Sequence, residues 1–247
     1  MTSDTTQTEQ AAPVTEELRD LITGAHCVVF GFDGPLCRLF ADRQAHDMAG
    51  GLVDRLAKRG LHVQLTEEEL ASGGPHAVLR AAARARPGSE LLEALEEDLT
   101  REELRAAATA RPAPYADPLV RTWSAVGSRL ALTTGSSPLV AEQYLAGRGL
   151  AGCFGPHIHG RTPGPGRPAP GPDCLGRALT GLDARPAETL MVGGTPADLT
   201  AAREAGVRFL GYARDERRMR GLLGAGAPVV VDDLEPVLRT VRAAARV

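Results

Sequence analysis

His26-Cys-Val-Val-Phe-Gly-Phe32, followed at once by Asp33-Gly34-Pro35, decides how the rest of the chain is read. An apolar run of this length, closed by a turn signal, is the pattern of a strand buried on both faces. Strands of that kind belong to parallel sheets covered by helices. Working outward, a short helical pattern from Glu16 to Thr23 leads into the run, and comparable runs recur at Arg129–Thr133, Thr189–Val192, Val207–Gly211 and Pro228–Val231. Helical patterns of about 10 to 15 residues separate them, which implies right-handed βαβ units. The strand ends carry their own punctuation. Thr134-Gly135-Ser136-Ser137 opens a helix through Pro138, at the first-turn position that tolerates proline. Gly193-Gly194-Thr195-Pro196 precedes another, with Thr195 and Asp198 spaced as a capping box. The expected fold class is α/β, a Rossmann-like doubly wound parallel sheet whose ligands bind at the carboxyl ends of the strands.

Between the first and second strands the texture changes to Ala, Leu, Glu and Arg at helical spacing. Residues 41–116 are read as an all-helical cap over the strand ends, able to act as a lid, with helices near Asp42–Arg59, Pro75–Arg86, Ser89–Leu99 and Arg101–Ala110. The last of these is read as starting at Thr100, with Glu103 three residues on. The α/β core then comprises 15–40 and 117–247, and 1–14 reads as a flexible tail. Arg161 to Asp173 holds five prolines and three glycines, a stiff irregular connection.

The composition narrows the function classes. A chain of 247 residues with 43% hydrophobic and 24% charged residues buries a large core, so neither disorder nor a disulfide staple is needed. A net charge of -3 leaves no basic surplus for nucleic acid, and no apolar stretch reaches the ~18 residues of a membrane span. The N-terminus lacks a basic and then apolar export pattern, so a cytoplasmic location is expected. Cys27, Cys37, Cys153 and Cys174 form no C-x-x-C pair and read as reduced, mostly buried small hydrophobes. His157 and His159 alternate like metal ligands, but no third ligand can be named, and an edge-strand or loop reading is preferred. The charge run Glu90–Arg105 reads as a solvated helix face, with a pair such as Glu97 and Arg101.

The strand-end strings, in this order and with a cap in this interval, resemble the haloacid dehalogenase superfamily of phosphohydrolases. In that family strand one ends in D-x-D-G-T/P, a second motif in Thr or Ser, a third supplies Lys, often in K-P-x-P, and the fourth reads G-D-x-x-x-D. The counterparts here are Gly31-Phe32-Asp33-Gly34-Pro35, Thr134, Arg167-Pro168-Ala169-Pro170 and Gly193-Gly194-Thr-Pro-Ala-Asp198. The resemblance implies a phosphorus-attacking aspartate where this chain has Gly31. It implies Mg²⁺ held by that residue, by the carbonyl of the Asp33 position, and by an aspartate where this chain has Gly194. Both side-chain ligands are missing together, as expected if carboxylates tolerable only around a cation were lost as a pair. No cofactor is therefore expected, and Mg²⁺ only if the chain is active after all.

What the resemblance leaves is an anion cradle: the Thr134 hydroxyl, the Gly135 and Ser136 amides at a helix N-terminus, and Arg167. Asp33 keeps the acid/base position, and Asp198 reads more simply as a cap than as a metal ligand. The plainer readings stand beside these: Thr134 caps its helix, Arg167 lies in solvent, and Asp33 braces its turn. Cys37 follows closely enough to be mistaken for a substitute nucleophile, but the turn should point it away. Three functions remain open. The first is a pseudophosphatase that binds a small phosphorylated metabolite or a protein partner. The second is a weak phosphohydrolase acting on a small phosphate ester, with water activated by Asp33. The third is a structural protein that docks through its cap.

Overall fold

The computed structural model describes residues 15–40, 42–72, 74–161 and 173–245. In chain order the elements of the first half are α1 (Glu16–Thr23), β1 (Cys27–Gly31), β2 (Cys37–Arg38), α2 (Asp42–Lys58), α3 (Glu67–Ser72), α4 (Pro75–Ala85), α5 (Glu90–Ala107), β3 (Arg111–Pro112) and α6 (Ala116–Ala125). There follow β4 (Arg129–Thr133), α7 (Pro138–Gly147), α8 (Ala151–Phe154), β5 (Ile158–His159), α9 (Asp173–Leu182), β6 (Thr189–Gly193), α10 (Pro196–Glu204), β7 (Arg208–Tyr212), α11 (Glu216–Gly224), β8 (Val230–Val231) and α12 (Glu235–Ala244).

β1 is buried along its whole length, and its period of two sorts the side chains between two cores. Val28 and Phe30 face a cluster with Leu130, Leu132, Leu190 and Val192, covered by α1, α6, α7, α8 and α12. Cys27 and Val29 face the opposite cluster with Ala131, Met191 and Phe209, covered by α9, α10 and α11. Phe30 meets Trp123 and Phe154 edge-on, with ring centroids 5.5 and 6.1 Å away. Burying each such aromatic contributes roughly 1.5–3 kcal/mol. The sheet order is β5-β4-β1-β6-β7-β8 and every pairing in it is parallel. After β1 the chain builds one half of the sheet through β4 and β5, then crosses back to build the other through β6, β7 and β8. The crevice for a ligand therefore lies at the carboxyl end of β1, where the halves diverge.

The helices between β1 and β4 have a core of their own, built from Leu52 and Leu56 of α2, Val78, Leu79 and Ala82 of α4, and Leu92, Leu95 and Leu99 of α5. The two chain crossings into this unit run side by side as the antiparallel pair β2 and β3. Neither β2, β3 nor α3 is among the elements expected from the sequence, although Thr66 and Glu69 form a reciprocal capping box at the start of α3. Conversely, no helix begins at Thr100: α5 runs unbroken through it, because its hydroxyl and Glu103 are taken up by tertiary partners described below. Arg101 pairs with Asp98 rather than with Glu97, the i,i+3 neighbour being the better placed.

The capping box at Thr195 and Asp198 forms as the spacing implies, with reciprocal bonds of 3.2 and 3.0 Å. Thr195→Ala should lower stability by about 1 kcal/mol, read as a fall in the urea midpoint at unchanged denaturant slope. Among the described residues no helix is long and apolar enough to cross a membrane.

Candidate functional site

The carboxyl ends of β1, β4 and β6 bring Gly31, Asp33, Thr134 and Gly194 together. Gly31 is in register with Thr133, and the Phe32 amide donates to the Thr133 carbonyl at 3.0 Å. A β-carbon on Gly31 would sit 3.5 Å from the Val192 carbonyl, and one on Gly194 would sit 3.5 Å from the Asp33 carbonyl. Both strand-end positions thus have room for a side chain and carry none.

After Gly31 the chain turns sharply. The Gly34 amide donates to the Cys37 carbonyl at 2.8 Å, with Gly34 in the left-handed region at φ 109°. Asp33 Oδ1 accepts from the Leu39 amide at 3.0 Å, so the carboxylate does brace this turn. The Asp33 side chain still reaches solvent, although protein packs densely around its other sides. That desolvation raises its pKa above the ordinary carboxylate value, while the Leu39 amide and the charges of Arg218, Arg214 and His76 pull the other way. Cys37 is buried, with its thiol directed at the Phe32 carbonyl and its pKa pushed far up by burial and by Asp33, so it is no nucleophile.

Thr134 and Ser136 are buried, and Thr134 Oγ1 accepts from the Ser136 amide at 3.0 Å. The Ser136 N–H expected to face an anion is thus engaged inside the loop, while the Thr134 hydroxyl keeps its own proton to donate. Thr134 does not cap α7: the N-cap is Ser137, which makes no side-chain cap bond. Asp198 Oδ2 accepts from the amides of both Gly194 and Thr195 at 3.0 Å, and burial, with Asp33 adding to it, raises its pKa. Arg167 and the 1–14 segment lie outside the described residues. His159 stands on β5, an edge strand, preceded by His157. Cys27, Cys37 and Cys174 are buried and Cys153 half-buried, all four as free thiols.

The donor set does not suit Mg²⁺, which needs near-octahedral oxygen ligands anchored by carboxylates. Gly31 and Gly194 offer none, and Asp198 Oδ2 already accepts from two amides. Among the described residues no group of three or more His, Cys, Asp or Glu could hold a metal ion.

Beside the loop lies a cluster that the spacing did not join: Glu103, read as a capping partner within a solvated helix face, is instead buried in it. Glu103 of α5 is fully buried and Arg161, just past β5, is 3% exposed. They form a bidentate pair with both bonds at 3.0 Å. His76 Nε2 lies 2.8 Å from Glu103 Oε1, an oxygen it shares with Arg161, and Thr100 Oγ1 accepts from Arg161 at 2.8 Å. Burial alone would raise the Glu103 pKa, but His76 and Arg161 together hold it down at about 2. Apart from the capping spacing of Thr100 and Glu103, no local pattern marks these residues, since what joins them is a contact between segments roughly 60 residues apart. A separate cleft of about 580 Å³ is lined by α2 and α5 alone, including Met48, Leu52, Arg55 and Asp98, and includes none of the strand-end residues.

A family model described as haloacid dehalogenase-like hydrolase matches residues 11–206. A search of the curated proteins finds no match. Solved structures share the fold. A predicted phosphatase from Clostridium acetobutylicum is 17% identical at TM-score 0.62, over 87% of this chain and 97% of that one. CbbY from Rhodobacter sphaeroides, a mutant form in complex with xylulose-(1,5)bisphosphate, is 20% identical at TM-score 0.60, over 85% and 94%. A family hydrolase from Deinococcus radiodurans R1 with bound phosphate and sodium is 24% identical at TM-score 0.55, over 91% and 97%. With the family model over most of the chain, the strand order and the helices inserted after the first strand, this chain belongs to the haloacid dehalogenase-like hydrolase family.

Proposed function

We propose that this protein is a pseudophosphatase: it binds a small phosphate monoester at the strand ends and does not cleave it by the aspartyl route. The observation that carries the reading is the pair of bare positions, Gly31 and Gly194, on either side of Asp33, each with room for the side chain it lacks. Without a carboxylate at Gly31 there is no group to take the phosphoryl, whatever else the pocket holds. The Thr134 hydroxyl donates to a phosphate oxygen. Phosphate-bearing ligands in the Deinococcus radiodurans and Rhodobacter sphaeroides proteins are in keeping with this ligand class.

Asp33 supports a second reading, slow hydrolysis in which its carboxylate draws a proton from water, because it reaches solvent and its pKa is raised toward that of a useful base. A screen of phosphate monoesters with and without Mg²⁺ separates the two. The expected result is no turnover that depends on added Mg²⁺. Turnover that persists through purification and vanishes in Asp33→Asn would establish the second reading instead. In the same screen a true ligand at about 100 times its Kd should stabilise the fold by about 2.7 kcal/mol, raising Tm by roughly 5–10 °C. Thr134→Val should cancel that rise, and a wild-type protein unmoved by every phosphorylated compound would sink the binding role.

A further inference from the structure

Carboxylates and guanidinium groups leave water completely only where partners replace every lost hydrogen bond. Glu103 and Arg161 have done so, and three successive residues of the Thr134 loop are among their partners. Arg161 donates from its guanidinium to the Gly135 carbonyl at 3.2 Å and from its backbone to the Ser136 carbonyl at 2.8 Å. Glu103 Oε2 accepts from the Ser137 amide at 3.3 Å, at the amino end of α7, where the helix dipole favours a carboxylate. The approach is close enough to require glycine at the end of β5, since a β-carbon on Gly160 would lie 2.5 Å from the Ser136 carbonyl.

These bonds act on Thr134 through the geometry of one peptide plane. In a trans peptide the carbonyl and the next N–H point in opposite directions. Turning the Gly135 carbonyl to Arg161 therefore sends the Ser136 N–H the other way, where it meets Thr134 Oγ1 at 3.0 Å. That bond sets the Thr134 rotamer and leaves the hydroxyl proton free to be donated outward. A cause thus runs from α5 in the cap, through Glu103 and Arg161, to the orientation of a hydroxyl at the strand ends.

We propose that Glu103 and Arg161 are the positioning pair of the phosphate-binding loop, so that the Thr134 hydroxyl faces a bound phosphate monoester only while the helical cap is docked through them. The inference rests on the pocket reading above and adds to it that binding and cap docking are one equilibrium. In such a coupling the effect is reciprocal: a bound anion must tighten the cap as much as the docked cap tightens the anion.

The test uses the full chain with inorganic phosphate as probe, calorimetry for affinity, and hydrogen exchange read along α5, at a temperature where circular dichroism shows every variant folded. The expected result is that Glu103→Gln and Arg161→Lys each weaken phosphate binding about fivefold or more, and that the slowing of α5 exchange by saturating phosphate disappears in both. Thr100→Val, which removes one acceptor from Arg161 and leaves the ion pair, should show the same two changes to a lesser degree, and it carries the test if the charge variants do not fold. A merely structural pair would lower Tm while leaving affinity within about twofold of wild type and the α5 response intact. That outcome, with Thr134→Val still losing phosphate, overturns the coupling and leaves the pocket standing. If wild type binds no phosphate, the pocket reading fails and the coupling falls with it.

Discussion

A triple variant, Gly31→Asp with Gly194→Asp and Arg167→Lys, is expected to bind Mg²⁺ and to hydrolyse a phosphate monoester slowly and metal-dependently where the wild type does not. The backbone is already shaped for it. The nearest atoms to a new β-carbon are 3.5 Å away at Gly31 and 3.4 Å away at Gly194, ordinary contact distances, and neither residue has a positive φ. Gly31→Asp alone should achieve little, because a second acid beside Asp33, whose pKa is already raised, would protonate or repel in the absence of a cation. Gly194→Asp alone still lacks the nucleophile. The gains should therefore be strongly non-additive across the set. Calorimetric titration with Mg²⁺ and a continuous phosphate-release assay check the two halves separately. A folded triple variant that fails to bind Mg²⁺ would show that Gly31 and Gly194 are not the metal-bridging positions, and the case for an abandoned reaction would go with it.

Arg161→Ala is expected to be among the most destabilising single changes in the chain, at about 3–5 kcal/mol, because it leaves the fully buried Glu103 carboxylate without its bidentate partner. For a protein of this size that is a fall in Tm of roughly 6–20 °C. Glu103→Ala should cost a similar amount, whereas Glu103→Leu combined with Arg161→Met should cost less than either single loss, since no charge is then stranded. If the double replacement is as harmful as the sum of the singles, the pair is not acting as a desolvated ion pair. The pH dependence has a definite sign. Glu103 is held at about 2 against an ordinary 4.5, so its contribution is fully present above about pH 4.5 and is lost as pH falls toward 2. Asp33 and Asp198, both raised, act in the opposite sense and soften the acid limb. Denaturant titrations across that window should show a shallower acid loss in Glu103→Gln than in wild type.

Much of this protein was legible in one dimension because strand burial is periodic and strand ends are punctuated. The run Cys27–Gly31 alternates between two cores as its period requires, and the bare glycines at 31 and 194 are visible before any coordinate. The family motifs placed Asp33, Thr134 and Gly194 at neighbouring strand ends, where the parallel pairing puts them. The limits appear in two strings of one pattern. Thr66-x-x-Glu69 and Thr100-x-x-Glu103 carry the same capping signature. The first makes a capping box and starts α3, both side chains bonding the backbone of their own turn while Glu69 also pairs with Arg84 of α4. The second starts nothing: its threonine accepts from Arg161, and its glutamate is held by Arg161, His76 and Ser137 inside an unbroken helix. A capping box is a local bond and can be read from spacing. A desolvated ion pair is made by segments far apart in the chain, and only the tertiary structure decides which carboxylate keeps the bonds of its own turn while it pairs, as Glu69 does with Arg84, and which gives them up for partners across the fold, as Glu103 does for Arg161.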